Sequence, residues 1–278
     1  KQELLEEGVE YPDDTELGLI QNPEQLHYIG NKWGGKYLRA PEIYFKILEK
    51  GKDKLVRLND IALIMGYIHG FNVGPLFPKV KFVESISKLD SIYLDENSKG
   101  VIDFGVKKDG NSREISDLLY PRMFGDRFLV IVNFGKIYGQ KFYKIILKNK
   151  ELKTEVGLFL NSTLSILQNE VLLYSTWGLG GISINSDHLY NMFVLLKILT
   201  KNDLLNRFFK RKIYSIFTEL GFDKTRPIRE QEPNPLPDRK ELDDIVFDAL
   251  GLTEEERKEV YWAVAELVKA RLDKAKSV

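Results

Sequence analysis

The sequence has no cysteine, and only three histidines and three methionines in 278 residues. Without cysteine, disulfides and thiolate metal sites are both excluded. Each histidine stands alone, outside any spacing that ligates a metal; they are His27, His69 and His188. No apolar run approaches the roughly 18 residues of a membrane span. The first residues also lack a signal-peptide pattern, so a cytoplasmic address is expected.

Common catalytic signatures are missing too. There is no phosphate-binding G-x-x-x-x-G-K-[ST], no G-x-G-x-x-G and no G-x-S-x-G. The [DNS]-P-P-[YFW] loop that holds a flipped adenine is also absent, so the chain lacks the parts for base-flipping catalysis. A P-D…E-x-K pattern of metal-dependent nucleases is mimicked by Pro237-Asp238 with Glu256 and Lys258. Glu256 is equally explained as part of a helix cap, so the nuclease remains an alternative.

Charge is balanced overall but unevenly distributed. Lysine plus arginine equals aspartate plus glutamate at 41 each, while residues 1–16 hold seven acids against Lys1. Residues 121–153 hold eight bases against Asp126 and Glu151. Such a local excess indicates either a phosphate-facing surface or a solvated sheet face. The scarcity of methionine beside abundant lysine, glutamate and isoleucine is typical of a thermophile.

Local patterns predict a mixed body. A helix is expected over 42–50, and Ile61, Leu63 and Met65 alternate as in a strand. Short strands are predicted within 79–108. Residues 127–147 suggest a hairpin that turns at 133–136, and residues 155–175 a single long apolar helix.

The tail, from about residue 200, is predicted to be helical. Residues 203–220 form an amphipathic pattern that ends at Gly221, and a second helix over 238–250 ends at Gly251. Thr253 and Glu256 form a capping box that opens a third helix. Its basic last turn, which includes Arg271, suits the helix dipole. Its apolar stripe indicates packing rather than function; the stripe is Val260, Val264, Leu267, Val268 and Leu272.

Two linked motifs stand in the middle of the chain. Residues 159–164 read F-L-N-S-T-L, and residues 178–184 read G-L-G-G-I-S-I. Before them come K-W-G-G-K-Y-L-R-A-P at 32–41 and G-Y-I-H-G-F-N at 66–72. After them come P-L-P-D-R and L-G-L-T-E-E-E-R-K-E-V-Y. In this order the segments resemble the TaqI-like C-terminal specificity domain of adenine-specific DNA methyltransferases, especially type IIG restriction–modification enzymes.

The resemblance implies an α+β fold, in which flanking helices surround a mixed, twisted β-sheet and a helical extension follows. It implies a target-recognition domain over residues 25–200 and an extension over 201–278. Residues 1–24 are then an acidic lead-in from a missing N-terminal methyltransferase domain. That domain, also the expected partner, would bind S-adenosylmethionine; no cofactor or metal is expected in this fragment. The parent is expected to methylate adenine and could also cleave DNA.

On this interpretation, the chain binds double-stranded DNA without catalysing a reaction. Its DNA-binding candidates, for phosphates or bases, are Tyr67, His69, Asn72, Lys107, Arg122, Lys136 and Lys141. Its structural turn glycines are Gly66, Gly70, Gly178, Gly180 and Gly181. Asn161 and Ser162, inside the predicted helix, are expected to anchor the neighbouring glycine turn.

Structural explanations stay open beside these roles. Gly66 and Gly70 could simply form a turn that Asn72 caps. Arg122 and Arg127 could pair with Asp126 or Asp117. The chain could instead be a protein-interaction module that assembles a restriction–modification complex.

Overall fold

The computed structural model describes residues 40–66, 75–105, 115–172, 175–177, 180–196 and 202–276. Its helices are α1 Glu42–Lys50, α2 Leu58–Ile61, α3 Lys153–Leu160, α4 Thr163–Leu172, α5 Ser186–Asn191, α6 Asn202–Lys210, α7 Ile216–Leu220, α8 Pro237–Leu250 and α9 Glu254–Lys276. Its strands are β1 Leu55–Arg57, β2 Ala62–Met65, β3 Lys79–Val83, β4 Tyr93–Leu94, β5 Ile102–Gly105, β6 Leu118–Pro121, β7 Met123–Phe124, β8 Ile131–Asn133, β9 Tyr138–Gly139, β10 Phe142–Leu147, β11 Ser175–Trp177, β12 Gly181–Ser183 and β13 Phe193–Leu195. Helices and mixed sheets thus combine in the predicted α+β fold.

The main sheet has the order β2-β10-β6-β8-β4, with only the β8–β4 pair parallel. Strand β6 is fully buried because its apolar residues face packed layers on both sides; Leu118, Leu119 and Tyr120 are all inaccessible to solvent. Smaller sheets have the orders β11-β12-β7 and β5-β3-β9, and β1 pairs with β13. The sheet therefore contains the core against which the helices pack.

The predicted hairpin over 127–147 is wrong. Strand β6 separates β8 from β10 and is antiparallel to both. Strand β9, which lies between β8 and β10 in the sequence, is not part of the main sheet and pairs with β3 in parallel. The hairpin pattern was misleading because two strands joined by a glycine turn need not be neighbours when a third can insert between them.

Strand β2 lies where the sequence predicted a strand, but the residues that face the core are the alternate ones. Ala62 and Ile64 are buried, whereas Leu63 is 53% exposed. The buried residues Ala62 and Ile64 were not recognised as the inward face, because the small side chain of Ala62 adds little to an apolar pattern.

Two long helices predicted from the sequence are each broken. The helix over 155–175 divides into α3 and α4 at Asn161 and Ser162. The helix over 203–220 divides into α6 and α7, where Ser215 caps the second piece by accepting from the Thr218 amide. Apolar periodicity continues across both breaks, so it did not reveal them.

The other tail predictions are confirmed. Gly221 and Gly251 end their helices with φ of 75° and 70°, a conformation that glycine adopts without strain. Thr253 and Glu256 cap α9 reciprocally, at 2.8 and 3.3 Å. The stripe of α9 packs into one hydrophobic core shared with the main sheet. Among the described residues, no helix is both long enough and apolar enough to cross a membrane.

Candidate nucleic-acid interface

Arg122 lies where the main sheet meets the β11-β12-β7 sheet. Its amide donates to the Lys141 carbonyl at 3.0 Å, and its carbonyl accepts from the Ile184 amide at 2.9 Å. Met65, which pairs with Lys144 at the same end of the main sheet, is followed by the exposed Gly66. We call this end of the sheet the Arg122 edge, defined by Gly66, Arg122, Met123, Lys141 and Gly181.

The Arg122 edge is open to solvent. Lys141 is 54% exposed and pairs with Glu84 at 2.5 Å. The hydrogen bond from Lys141, and then its charge, lower the pKa of the Glu84 carboxyl below its usual value. Met123 is also exposed, and a methyl group added to Gly66 would meet no atom within 4 Å. The edge therefore combines positive charge with exposed backbone.

Lys136 lies at the other end of the main sheet. It follows β8, in which Val132 pairs with Leu118 at the start of β6, whereas Arg122 follows the end of β6. At about 3.3 Å per residue, the four steps along the chain from Leu118 to Arg122 span roughly 13 Å. The structure thus brings Arg122 and Lys141 together and leaves Lys136 apart.

The remaining predicted residues lie outside the described part of the chain. They are Tyr67, His69, Gly70, Asn72, Lys107 and Gly178. Their roles stay predictions. Sequence connectivity alone puts Tyr67 next to Gly66 of the Arg122 edge.

Arg127 has a structural role. Its guanidinium donates to the carbonyls of Ile213 at 2.8 Å and Leu89 at 2.6 Å. Asp117, one of its suggested partners, instead accepts from Lys150 at 2.5 Å. Arg127 therefore ties the loop after β3 to the start of α7.

The glycine turn contains Gly180 at a φ of 70° and is held by the last helix. Arg271 of α9 donates to the carbonyls of Gly180 and Gly125, the latter at 3.0 Å. It also pairs with Glu170 of α4, at 2.7 and 3.0 Å. Burial raises the pKa of Glu170 above its usual value, although Arg271 opposes that shift. The sequence assigned Arg271 only to the helix dipole and gave no sign of these partners.

Asn161 and Ser162 were predicted to anchor the glycine turn, but within the described part of the chain their side chains bond to other segments. The side-chain amide of Asn161 accepts from the Val130 amide at 2.9 Å and donates to the Val130 carbonyl at 2.8 Å. It also donates to the Gly157 carbonyl. The Ser162 hydroxyl donates to the Phe159 carbonyl. A short polar side chain at a helix end competes with helical hydrogen bonds, which explains the break.

Helix α8 completes this break. Asp243 accepts from the Thr163 amide at 2.8 Å and from its hydroxyl at 2.6 Å, so it caps α4 from another helix. Arg239 donates to the Asn161 carbonyl and, at 3.1 Å, to Glu219. All of these side chains are buried. We call Asn161, Thr163, Glu219, Arg239 and Asp243 the helix junction.

The nuclease alternative receives no support from the structure. Asp238 pairs with Arg211, Glu256 caps its own helix and pairs with Lys50, and Lys258 pairs with Glu232; these contacts occupy separate places. Within the described ranges, no group of three or more acidic or histidine side chains could hold a metal ion. In the described residues these side chains thus serve a helix cap and three separate ion pairs.

Comparisons with known proteins concern the fold. No protein-family model matches the chain, and no curated protein does. The type IIG restriction endonuclease BpuSI matches with a TM-score of 0.58 and 11% identity, over 86% of this chain and 34% of BpuSI.

Two weaker similarities do not establish a shared fold. The HsdS subunit from Thermoanaerobacter tengcongensis matches with a TM-score of 0.34 and 14% identity, over 87% of this chain and 51% of that chain. A protein of a type I R-M system matches with a TM-score of 0.30 and 14% identity, over 87% of this chain and 54% of that chain. The BpuSI similarity alone carries the comparison: the chain shares its fold with part of a type IIG restriction endonuclease, as the sequence resemblance predicted.

Proposed function

We propose that the chain recognises a DNA sequence for a restriction–modification system and that the Arg122 edge faces the double helix. The carrying observation is the meeting of two sheets at this edge, where Arg122 and Lys141 lie side by side beside exposed glycine backbone. Cations that contact phosphates position a protein on DNA, and backbone without side chains permits close approach. The fold shared with BpuSI supports the choice of DNA as ligand.

The finer assignment extends the sequence prediction. Tyr67, His69 and Asn72, which come after Gly66 in the sequence and lie outside the described residues, stay our candidates for base contacts, because an asparagine amide can pair with adenine. Lys107 and Lys136 remain candidates for further phosphate contacts. Adenine-N6 methylation and binding of S-adenosylmethionine belong, in this proposal, to a methyltransferase domain of the parent protein.

The first test is DNA binding by this chain at two salt concentrations, using a randomised duplex pool that is sequenced after selection. We expect enrichment of one short motif. Salt-sensitive binding without enrichment would mean that the chain holds DNA but does not read it alone. No binding at low salt would contradict the proposal and favour the protein-interaction module, which a concentration-dependent mass would then support.

Variants locate the surface. Lys141→Ala should lower the slope of log affinity against log salt by about 1, the loss of one phosphate contact. Glu84→Gln should strengthen binding, because Glu84 competes with phosphate for Lys141. Lys258→Ala is the matched control, since Lys258 forms a similar exposed ion pair with Glu232 near the start of α9, roughly 20 Å along that helix from Arg271. Lys136→Ala decides whether DNA also reaches the other end of the sheet.

A further inference from the structure

The hairpin of β11 and β12 is a small structure that needs support. Its strands are three residues each, and its neighbour β7 has only two. Hairpins of this size are marginally stable by themselves. Yet Ile184, directly after β12, donates to the Arg122 carbonyl, so the hairpin position sets the position of Arg122.

The support comes from one side chain of the last helix. The Arg271 guanidinium is 7% exposed and lies 5.8 Å above the Phe124 ring. Its donors reach two carbonyls from different segments, Gly125 after β7 and Gly180 before β12. Because the guanidinium is planar and rigid, holding both carbonyls fixes their relative placement.

The packing around Gly180 adds a second constraint. A methyl group at Gly180 would approach the side chains of Leu272 and Ala275 at 3.1 Å, so α9 lies closely against the turn. A side chain at this positive φ would also be strained. Glycine therefore suits this turn, because a side chain there would be strained and would crowd α9.

Stability is a weak reason for this arrangement. The Glu170 carboxylate that balances Arg271 is 2% exposed. Replacing a buried ion pair by apolar side chains is often neutral or stabilising, whereas its hydrogen bonds specify one geometry. The contacts of Arg271 converge on the backbone beside the Arg122 edge, which is the surface that the proposed function assigns to DNA.

We propose that Arg271 is a positioning residue for DNA recognition: it holds the glycine hairpin, and through it the phosphate contact of Arg122, in the placement that sets the register of the chain on DNA. This inference rests on the proposed function. It makes the end of α9, which carries no predicted DNA contact, a determinant of sequence selectivity.

Two measurements on the whole chain test the inference. In the free protein, Arg271→Gln should speed hydrogen exchange of the amides at 181–184 by about tenfold, the scale of one lost charge-assisted hydrogen bond. In the randomised duplex pool, the same variant should flatten the preference between bases while retaining most of the salt-dependent affinity. Arg271→Lys preserves the charge opposite Glu170 but lacks the fork, so it should recover stability without recovering selectivity.

Val268→Ala is the matched control, because Val268 is buried on the same helix but its side chain has no hydrogen-bond donor to offer the hairpin carbonyls. It should lower stability and leave both local exchange and selectivity unchanged. If Arg271→Gln does not fold, Arg271→Lys and Glu170→Gln carry the test. Unchanged exchange at 181–184, or faster exchange with unchanged selectivity, overturns the inference alone. Absence of DNA binding by the unmodified chain overturns the proposed function and the inference with it.

Discussion

The Arg122 edge and the helix junction use polar residues in opposite ways. At the edge, Lys141 pairs with Glu84 on the surface, and Gly66 meets no other described residue that would crowd an added methyl group. At the junction, Asn161 and Asp243 lie buried, with hydrogen bonds joining the sheet to two helices and one helix to another. Both regions contain motifs by which the sequence resembles DNA-specificity domains.

The difference separates two reasons for a polar motif. Buried polar groups must be satisfied within the fold, so the N-S-T-L residues serve the architecture. A solvent-exposed ion pair such as Lys141–Glu84 contributes little to stability, so exchanging Glu84 for a ligand costs the fold little. The sharper motif is thus the structural one, and the less distinctive segment around Arg122 is the candidate for function.

The largest expected effect is at the junction. Arg239→Met removes a partner from Glu219, which is 2% exposed, and from the Asn161 carbonyl. We expect the free energy of unfolding to fall by about 3–5 kcal/mol, the cost of a buried charge pair losing one member. Urea denaturation measures this. Arg229→Met, which breaks exposed pairs with Glu259 and Glu266, should cost under about 1 kcal/mol. Equal losses would remove the distinction between buried and exposed polar groups.

A second effect depends on pH. Burial, opposed by Arg239 and by hydrogen bonds from Thr163, raises the pKa of Asp243 from 3.8 to about 6. Between these values the unfolded chain ionises while the folded chain keeps its proton, so stability falls as pH rises through this window and stays level above it. The Asp243→Asn variant lacks this fall. Its unfolding free energy, relative to that of the unmodified chain, should therefore rise by on the order of 3 kcal/mol from pH 3.5 to pH 7. Parallel pH profiles of unfolding free energy for the two proteins would contradict the assignment.

The smallest effect on stability is expected at the open edge. Gly66→Ala adds a methyl group that meets no atom within 4 Å, so the unfolding free energy should change by less than about 1 kcal/mol. DNA binding should weaken by about tenfold if the backbone approaches DNA closely there. Binding as strong as that of the unmodified chain would show that DNA does not touch Gly66.

Features set by neighbouring residues could be predicted from the sequence. Helix α1, the glycine ends of α7 and α8, and the capping box of α9 depend on contacts within a few residues, and all were predicted. The separation of β8 from β10 was not, because the insertion of β6 between them depends on contacts between distant segments. The break at Asn161 depends partly on Asp243, 80 residues beyond the Thr163 that it caps.

The candidate site shows the same limit. Arg122 and Lys141 could be selected as cations, but their adjacency follows from the register between β6 and β10, which the sequence pattern misassigned. The register between β6 and β8 places Lys136 at the other end of the sheet. Arg271 could not be related to Glu170, because 101 residues separate them and neither belongs to a recognisable motif.

The cap of α4 has a consequence for synthesis on the ribosome. Asn161 and Thr163 are translated long before Arg239 and Asp243, which follow them by 78 and 80 residues. Until those residues emerge, the first turn of α4 must satisfy its amides with water, and its apolar side stays uncovered. The chain up to that point is therefore an incomplete domain with exposed apolar surface, and the helix junction forms only when α8 arrives.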